Sequence, residues 1–169
     1  MNASAGSLSL VRVDNRLVHG QVLEAWLPAI DAQGIVIADD EAARNSLVRS
    51  AMSLAIPSRV SFQVLRVADA AALLRPGGKG PSSPRTLLLL RDVRDVVALV
   101  EGGVKLTRLN LGNVHFGSGR KQVSPSVYLD ANEMAQLAQL AAAGIVIEAR
   151  AVPAEVPTAL ATLQERFKK

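Results

Sequence analysis

The 169-residue chain carries a formal net charge of +4, and its basic residues are scattered without interleaved aromatic side chains, so we expect no nucleic-acid partner. It contains no cysteine, which excludes disulfides, thiolate nucleophiles and cysteine-ligated zinc sites. Hydrophobic residues make up 49% of the chain but aromatic residues only 3%, which favours a core of Val, Leu, Ile and Ala, as in buried parallel sheets.

The first half of the chain predicts three strand–helix units. In each unit, an apolar or alternating segment of strand length precedes a segment whose apolar residues recur at helical spacing. The predicted strand and helix bounds are 8–13 and 20–27, 34–38 and 39–55, and 60–67 and 69–76. Pro28 and Pro57 are expected to end the first two helices. Residues 1–7 are expected to form a disordered tail, without the features of a signal peptide.

The second half of the chain continues this alternation. Residues 76–84 are rich in glycine, proline and serine and predict a surface loop within one domain. The predicted strands that follow are 86–90, 106–111, 128–129 and 145–149, and the predicted helices are 92–100, 130–143 and a closing helix opened by Pro157. A polar loop is expected at 112–124.

Alternating strands and helices of these lengths predict an α/β fold, formed by residues 1–169 as a single domain. Parallel strands joined by right-handed crossovers place helices on both faces of one mainly parallel, doubly wound sheet. In such sheets, functional sites lie at the carboxyl ends of the strands. The candidate site loops are therefore 14–18, 91–93 and 112–120.

The first of these loops leads to a histidine, His19, at the point where the loop becomes a helix. Unpaired backbone N–H groups and the positive end of the dipole make a helix N-terminus a favourable place for a phosphate. A neutral imidazole is a good nucleophile, so His19 is a candidate phosphate acceptor. Asp14 or Asn15 could fix the tautomer of the ring, and Arg16 could pair with phosphoryl oxygens. Position alone equally permits a solvent-exposed capping or structural histidine.

The sequence around His19 resembles a known signature. Residues 12–22 read RVDNRLVHGQV, which is similar to the start of the B components of the mannose/fructose/sorbose family of bacterial sugar phosphotransferase systems (PTS). Three further segments, 100–105, 110–116 and 144–152, resemble that family in the same order. One departure is RDVRD at 91–95, where family members commonly have a proline-containing turn.

The resemblance implies a PTS IIB domain that acts as a protein-N(pi)-phosphohistidine–sugar phosphotransferase component, with His19 as the phosphorylated residue. A phosphorylated A component (IIA) would supply the phosphoryl group, and a sugar bound in the membrane components IIC and IID would receive it. The residues expected to bind or orient the phosphate are Asp14, Asn15, Arg16, Gly20, Gln21 and His115. No cofactor and no metal are expected. The expected location is the cytoplasm, peripherally associated with the membrane transporter, and a homodimer is compatible with the resemblance.

The sequence leaves other functions open. A regulatory phosphorylation sensor without a transported sugar would carry the same motif, and an unrelated nucleotide-binding α/β domain would share only the fold. The segment Gly77-Gly78-Lys79-Gly80 lacks the spacing of a phosphate-binding P-loop. His115 would line the phosphate pocket if the sheet order places its loop beside the first one, and would otherwise be an ordinary polar loop residue. Neither the sugar nor the oligomeric state can be derived from the sequence.

Overall fold

The computed structural model of the chain describes residues 6–169. Its strands are β1 (Ser7–Asp14), β2 (Gly34–Ala38), β3 (Ser61–Leu65), β4 (Arg85–Leu90), β5 (Arg108–Asn113), β6 (Lys121–Ser124), β7 (Val127–Leu129), β8 (Val146–Ala149) and β9 (Thr158–Ala159). Its helices are α1, which is π-helical over Val22–Trp26 and α-helical over Leu27–Ala29, α2 (Asp40–Arg44), α3 (Ser46–Ala55), α4 (Val67–Leu74), α5 (Val93–Glu101), α6 (Ala131–Ala142) and α7 (Leu160–Lys168). Within the described range, none of these helices has the length and apolar character needed to cross a membrane.

A seven-stranded sheet with the order β3-β2-β4-β1-β5-β8-β9 forms the centre of the fold. The strands from β3 to β8 pair in parallel, whereas β9 runs antiparallel to β8. Strands β6 and β7 form a separate antiparallel pair. The predicted fold class, a mainly parallel sheet with helices on both faces, is confirmed. Because β1 lies between β4 and β5, the loops that follow these three strands lie side by side at the carboxyl edge.

One face of the sheet is apolar across its width. Residues such as Val11, Leu88 and Leu109 pack there against apolar side chains of α4, α5, α6 and α7. These side chains are fully or almost fully buried, and burial of each aliphatic side chain contributes about 1.5–3 kcal/mol to folding. This face therefore supplies the larger part of the core.

The opposite face is divided into an apolar half and a polar half. On β2 and β4, residues such as Ile35 and Leu87 pack against α1 and α3. Since side chains alternate between the two faces of a strand, this face of the other central strands is formed by polar residues and a glycine. These residues are Arg12 and Asp14 on β1, Asn110 and Gly112 on β5, and Glu148 on β8. Polar residues at buried positions of a sheet need partners, which makes this half a candidate for function.

The helix predicted at 39–55 is instead two helices, and that prediction is wrong at Asn45. The backbone of Asn45 is extended (φ −107°, ψ 101°), and its side chain accepts a hydrogen bond from the N–H of Val48. An asparagine competes for backbone donors in this way and is favoured as a helix cap. Asn45 therefore ends α2 and begins α3.

Pro28 does not close the first helix, as predicted, but lies within it. The N–H of Leu27 donates to the carbonyl of Val22, five residues earlier, so the preceding turn is π-helical. Pro28 then occupies the first turn of the α-helical part, where its missing N–H leaves no hydrogen bond broken. The helix continues to Ala29.

The predicted loops and tail also differ from the structure at short elements. The polar loop expected at 112–124 contains β6, and β9 precedes the closing helix. Residues 1–5 of the predicted tail lie outside the described residues, but Ser7 already belongs to β1 and pairs with Arg85. Residues 76–84 contain neither helix nor strand, although Pro81 within them is buried.

Asp95, partly buried in the first turn of α5, predicts a pH-dependent stability. Burial, and then the nearby charge of Asp92, raises the pKa of Asp95 to about 6. Because this value lies above the ordinary value of 3.8, the folded state loses stability as the pH rises from about 4 to 6. We expect Asp95→Asn to increase the free energy of unfolding at about pH 7.5 by about 1 kcal/mol, a value reduced for partial exposure, and to have little effect near pH 3.5.

Urea unfolding of both proteins at the two pH values measures this difference. Asp69→Asn is the matched control, because the hydrogen bonds and charge of Arg66 lower the pKa of this exposed carboxyl. Asp69→Asn should not stabilise the protein at either pH. An equal gain from Asp95→Asn at both pH values would contradict the assignment.

Candidate functional site

The candidate site begins at the carboxyl end of β1, where Asp14 is followed by a tight loop. The N–H of Leu17 donates to the carbonyl of Asp14, and Leu17 is buried with a left-handed backbone (φ 57°). A branched L-residue pays about 1–2 kcal/mol for this conformation. The carbonyl of His19 accepts the hydrogen bond from the N–H of Leu23, so His19 stands directly before α1. The loop thereby presents His19 at the start of a helix, as predicted.

Asp14 is the centre of the site's hydrogen-bond network. Its side chain is completely buried and accepts hydrogen bonds from Nε2 of His19 (2.9 Å) and from a terminal nitrogen of Arg12 (3.1 Å). Arg16 donates three more, two from its guanidinium (3.1 Å each) and one from its backbone N–H (3.0 Å). Burial alone would raise the pKa of Asp14, but the hydrogen bonds from His19 and Arg16 and the charge of Arg12 outweigh it and hold the pKa of this carboxyl well below its usual range. Asp14 is therefore a permanent carboxylate.

A permanent carboxylate fixes the tautomer of His19. A carboxylate can only accept a hydrogen bond, so Nε2 of His19 carries the proton that it donates to Asp14. The lone pair of the neutral ring is then on Nδ1, which makes no hydrogen bond to any described residue. The His19 side chain is 15% exposed, so solvent and a docking partner reach only part of the ring. The site thus presents Nδ1 as a nucleophile at the start of α1.

Arg16 and Gln21 lie beside this nucleophile. The Arg16 side chain is 33% exposed, and its terminal nitrogen also donates to Oε1 of Gln21 (3.0 Å). Gly20 and Gln21 are exposed, and a Cβ added at Gly20 would meet no other atom. The structure therefore brings Asp14, Arg16, Gly20 and Gln21 together around His19.

Asn15 does not orient His19, so the choice left open between Asp14 and Asn15 is decided for Asp14. The Asn15 side chain donates to the carbonyl of Arg91 (3.0 Å) and accepts from the N–H of His115. Its backbone N–H donates to the carbonyl of Asn113 (3.0 Å). Asn15 therefore joins the loops that follow β1, β4 and β5.

The loop that carries His115 does lie beside the first loop, as the sheet order required. The His115 side chain is exposed and makes no hydrogen bond to the described residues. Its carbonyl accepts from Arg120, whose guanidinium forms a bidentate pair with Glu133 on α6. Arg120 therefore stiffens this loop rather than standing free as a surface charge.

Arg12 is a residue of the site that sequence reasoning missed. Its completely buried guanidinium donates to Asp14, to Oδ1 of Asn110 (2.6 Å) and to the carbonyls of Arg150 and Ala151 (2.9 Å each). A Cβ at Gly112 would coincide with this guanidinium, so only glycine fits there. A signal was present, because Arg12 and Asp14 are opposite charges two residues apart on one face of a predicted strand.

Trp26 anchors α1 to the same network. Its indole N–H donates to the carbonyl of Ala151 (2.9 Å). The guanidinium carbons of Arg12 and Arg150 lie 5.0 Å and 5.2 Å from its ring centroid, within cation–π distance. Because Trp26 is buried, this contact fixes the position of the helix that carries His19 relative to β1 and β8. The described residues contain no group of three or more side chains placed to ligate a metal.

The profile of the PTS system sorbose subfamily IIB component matches residues 8–169 of this chain. The chain belongs to this family. As a PTS IIB component, it is a phosphotransferase component of sugar uptake. The motif that suggested the resemblance and the loop that carries the described network are the same residues, 12–22.

Individual relatives agree with this membership. The chain is 31% identical over 163 residues to the sorbose-specific EIIB component of Lacticaseibacillus casei, covering 96% of this chain and 98% of that protein. It is 31% identical over 163 residues to the mannose-specific EIIAB component of Escherichia coli, covering 96% of this chain and 50% of that protein. The IIBSor domain of the sorbose permease from Klebsiella pneumoniae has a similar structure, with a TM-score of 0.82, 26% identity and coverage of 94% of this chain and 96% of that one.

Proposed function

We propose that Nδ1 of His19 accepts a phosphoryl group from a phosphohistidine of an A component and passes it to a sugar. The observation that carries this proposal is the hydrogen bond from Nε2 of His19 to the buried carboxylate of Asp14. That bond leaves one nitrogen of the ring with a free lone pair, at a helix start suited to phosphate.

The first transfer exchanges one phosphorus–nitrogen bond for another. The Nδ1 lone pair attacks phosphorus, the donor's P–N bond breaks, and its electron pair returns to the donor imidazole. Because Nε2 of His19 keeps its proton, the phosphorylated ring carries a positive charge, which the Asp14 carboxylate compensates. Since the bonds broken and formed are of one kind, positioning and charge stabilisation supply most of the catalysis. In the second transfer a sugar hydroxyl attacks the same phosphorus.

The neighbouring residues are suited to hold the phosphoryl oxygens. Arg16 is partly exposed and can turn its guanidinium from Gln21 to the phosphate while Asp14 still holds its backbone N–H. Gly20 leaves room for an oxygen at the helix start because it has no side chain. His115, exposed in the adjoining loop, can contact the phosphate or the incoming partner.

The partners in this proposal are a phosphorylated IIA component and the membrane components IIC and IID, where the sugar is bound. The name of the mannose-specific EIIAB relative joins A and B in one chain, which supports a IIA partner. The sorbose and mannose relatives have similar identity to this chain, so the choice of sugar is assigned to the membrane partner. Because the relatives are named for sugars, transport is favoured over a regulatory sensor without a sugar.

Phosphorylation with a labelled IIA component tests the proposal. The wild-type protein should form an acid-labile, base-stable adduct, with the phosphate located on His19 by mass spectrometry and on Nδ1 by NMR. His19→Ala should abolish the adduct completely, since no other nucleophile stands in its place. His115→Ala, the matched control at the chain's other histidine, should retain it. Label that persists in His19→Ala, or that is located on His115, would refute the assignment.

A further inference from the structure

A cleft of about 600 Å³ lies at the amino-terminal half of the sheet, between β1 and β5. Strand β1 pairs with β4 from Ser7 onward, but with β5 only over Arg12–Asp14. Ser9 and Leu10 of β1 and residues 105–109 line the cleft from its two sides. Neighbouring strands of a parallel sheet ordinarily pair throughout, so the backbone groups of these segments face a cavity in place of each other. Such groups need partners from outside the sheet.

The cleft is lined mainly by cationic side chains at its rim. Four of the described lining residues are basic, namely Arg75, Lys105, Arg108 and Arg150. Glu148 is the only carboxylate among the described lining residues, and it is already engaged by Arg150 (3.1 Å) and Arg108 (3.8 Å). Arg75 and Lys105 are exposed and form no ion pair with described residues. The excess positive charge at the rim favours an anionic ligand.

The remaining walls suit a compact organic molecule. Trp26 and Ile30 contribute apolar surface on one side, and Gly77, Gly78 and Gly80 leave the facing wall without side chains. The volume is within the range of small-molecule sites, about 300–1,000 Å³. At one end the cleft closes where β1 and β5 pair again, so it forms a pocket rather than a passage.

We propose that this cleft binds a small organic phosphate. The phosphate would pair with Arg75 and Lys105 at the rim, and the organic part would contact the backbone edges of β1 and β5 and the side of Trp26. This site is separate from His19, and its existence does not depend on the proposed phosphoryl transfer.

The cleft nevertheless contacts the network around His19. Asn110 lines it and accepts from Arg12, while Arg150 lines it with its side chain and accepts from Arg12 with its carbonyl. Arg12 in turn holds Asp14. A ligand in the cleft is therefore placed to act on the phosphate-accepting site through Arg12.

NMR titration of the ¹⁵N-labelled protein with glucose 6-phosphate tests the proposal, with glucose and inorganic phosphate as comparison probes. We expect saturable shifts at the amides of Ser9, of 77–80 and of 105–109 with glucose 6-phosphate, no shifts with glucose, and weaker binding of inorganic phosphate. The variant Arg75→Gln/Lys105→Gln should bind at least about tenfold more weakly, since two charge-assisted contacts are lost. Both residues are exposed, so the fold should be retained.

Lys168→Gln/Lys169→Gln is the matched control, because it removes the same charge from exposed positions outside the cleft. It should bind like the wild type, and so should His19→Ala. Equal weakening in both double variants would show general charge attraction and overturn the proposal. Shifts confined to 14–21, or their loss in His19→Ala, would place the probe at the transfer site and also overturn it. Absence of saturable shifts, or equal affinity for inorganic phosphate, would reject an organic phosphate site.

Discussion

Asp14→Asn is expected to slow the phosphorylation of His19 by about 1,000-fold or more while the protein remains folded. The asparagine amide can donate a hydrogen bond to Nε2, whereas the carboxylate only accepts one. Donation to Nε2 moves the ring proton to Nδ1 and removes the lone pair that attacks phosphorus. A comparable carboxylate-to-amide change beside a catalytic histidine costs about 10⁴-fold. The substitution also removes the negative charge that compensates the phosphorylated ring.

The rate is measured with phosphorylated IIA under single-turnover conditions, and the tautomer by ¹⁵N NMR of the imidazole. Asp39→Asn is the matched control, because Asp39 is also a buried carboxylate in a bidentate pair, with Arg91, but makes no hydrogen bond to His19. Both variants should lose some stability, since each leaves an arginine without its partner. Only Asp14→Asn should lose the transfer rate. Similar rates in the two variants would mean that Asp14 has a structural role only.

Gly112→Ala is expected to reduce the free energy of unfolding by about 3–5 kcal/mol. The added Cβ would overlap the guanidinium of Arg12, which is completely buried and has no free space to enter. Displacing Arg12 breaks its bonds to Asn110 and Asp14 and leaves charged groups unpaired inside the protein. Since Asp14 then loses one of its supports, phosphorylation of His19 should fall as well.

Urea unfolding followed by circular dichroism measures this loss of stability. Gly20→Ala serves as the control for stability alone, because a Cβ there meets no other atom. It should change the free energy of unfolding by less than about 1 kcal/mol. A Gly112→Ala protein as stable as the wild type would show that Arg12 has an alternative position, and its structural role would have to be withdrawn.

Much of the fold was predictable because its strands are strongly apolar and regularly spaced. The uninterrupted run Gly34–Ala38 and the four leucines of β4 are buried on both faces, as expected for central parallel strands. The short strands β6 and β9 were missed, since segments of two to four partly polar residues have no recognisable period. The break at Asn45 was missed because apolar spacing continues across it, and only the extended backbone separates the two helices.

The site was predictable in its centre but not in its support. The rule that sites follow the carboxyl ends of parallel strands selected the loop that contains Asp14 and His19. The decision between Asp14 and Asn15 depends on the turn formed at Leu17, which the sequence does not reveal. Trp26 and Arg150 are distant in sequence, and only the pairing of β5 with β8 brings them together.

The π-helical turn before Pro28 has a consequence for the length of this segment. It contains one residue more than an ordinary α-helical turn, and each residue rotates a helix by about 100°. Deleting a residue between His19 and Trp26 would therefore swing the indole away from the two guanidinium groups, even if every remaining side chain were kept. Solvent-facing positions in the turn, such as Glu24, are free to vary in identity, whereas their number is not.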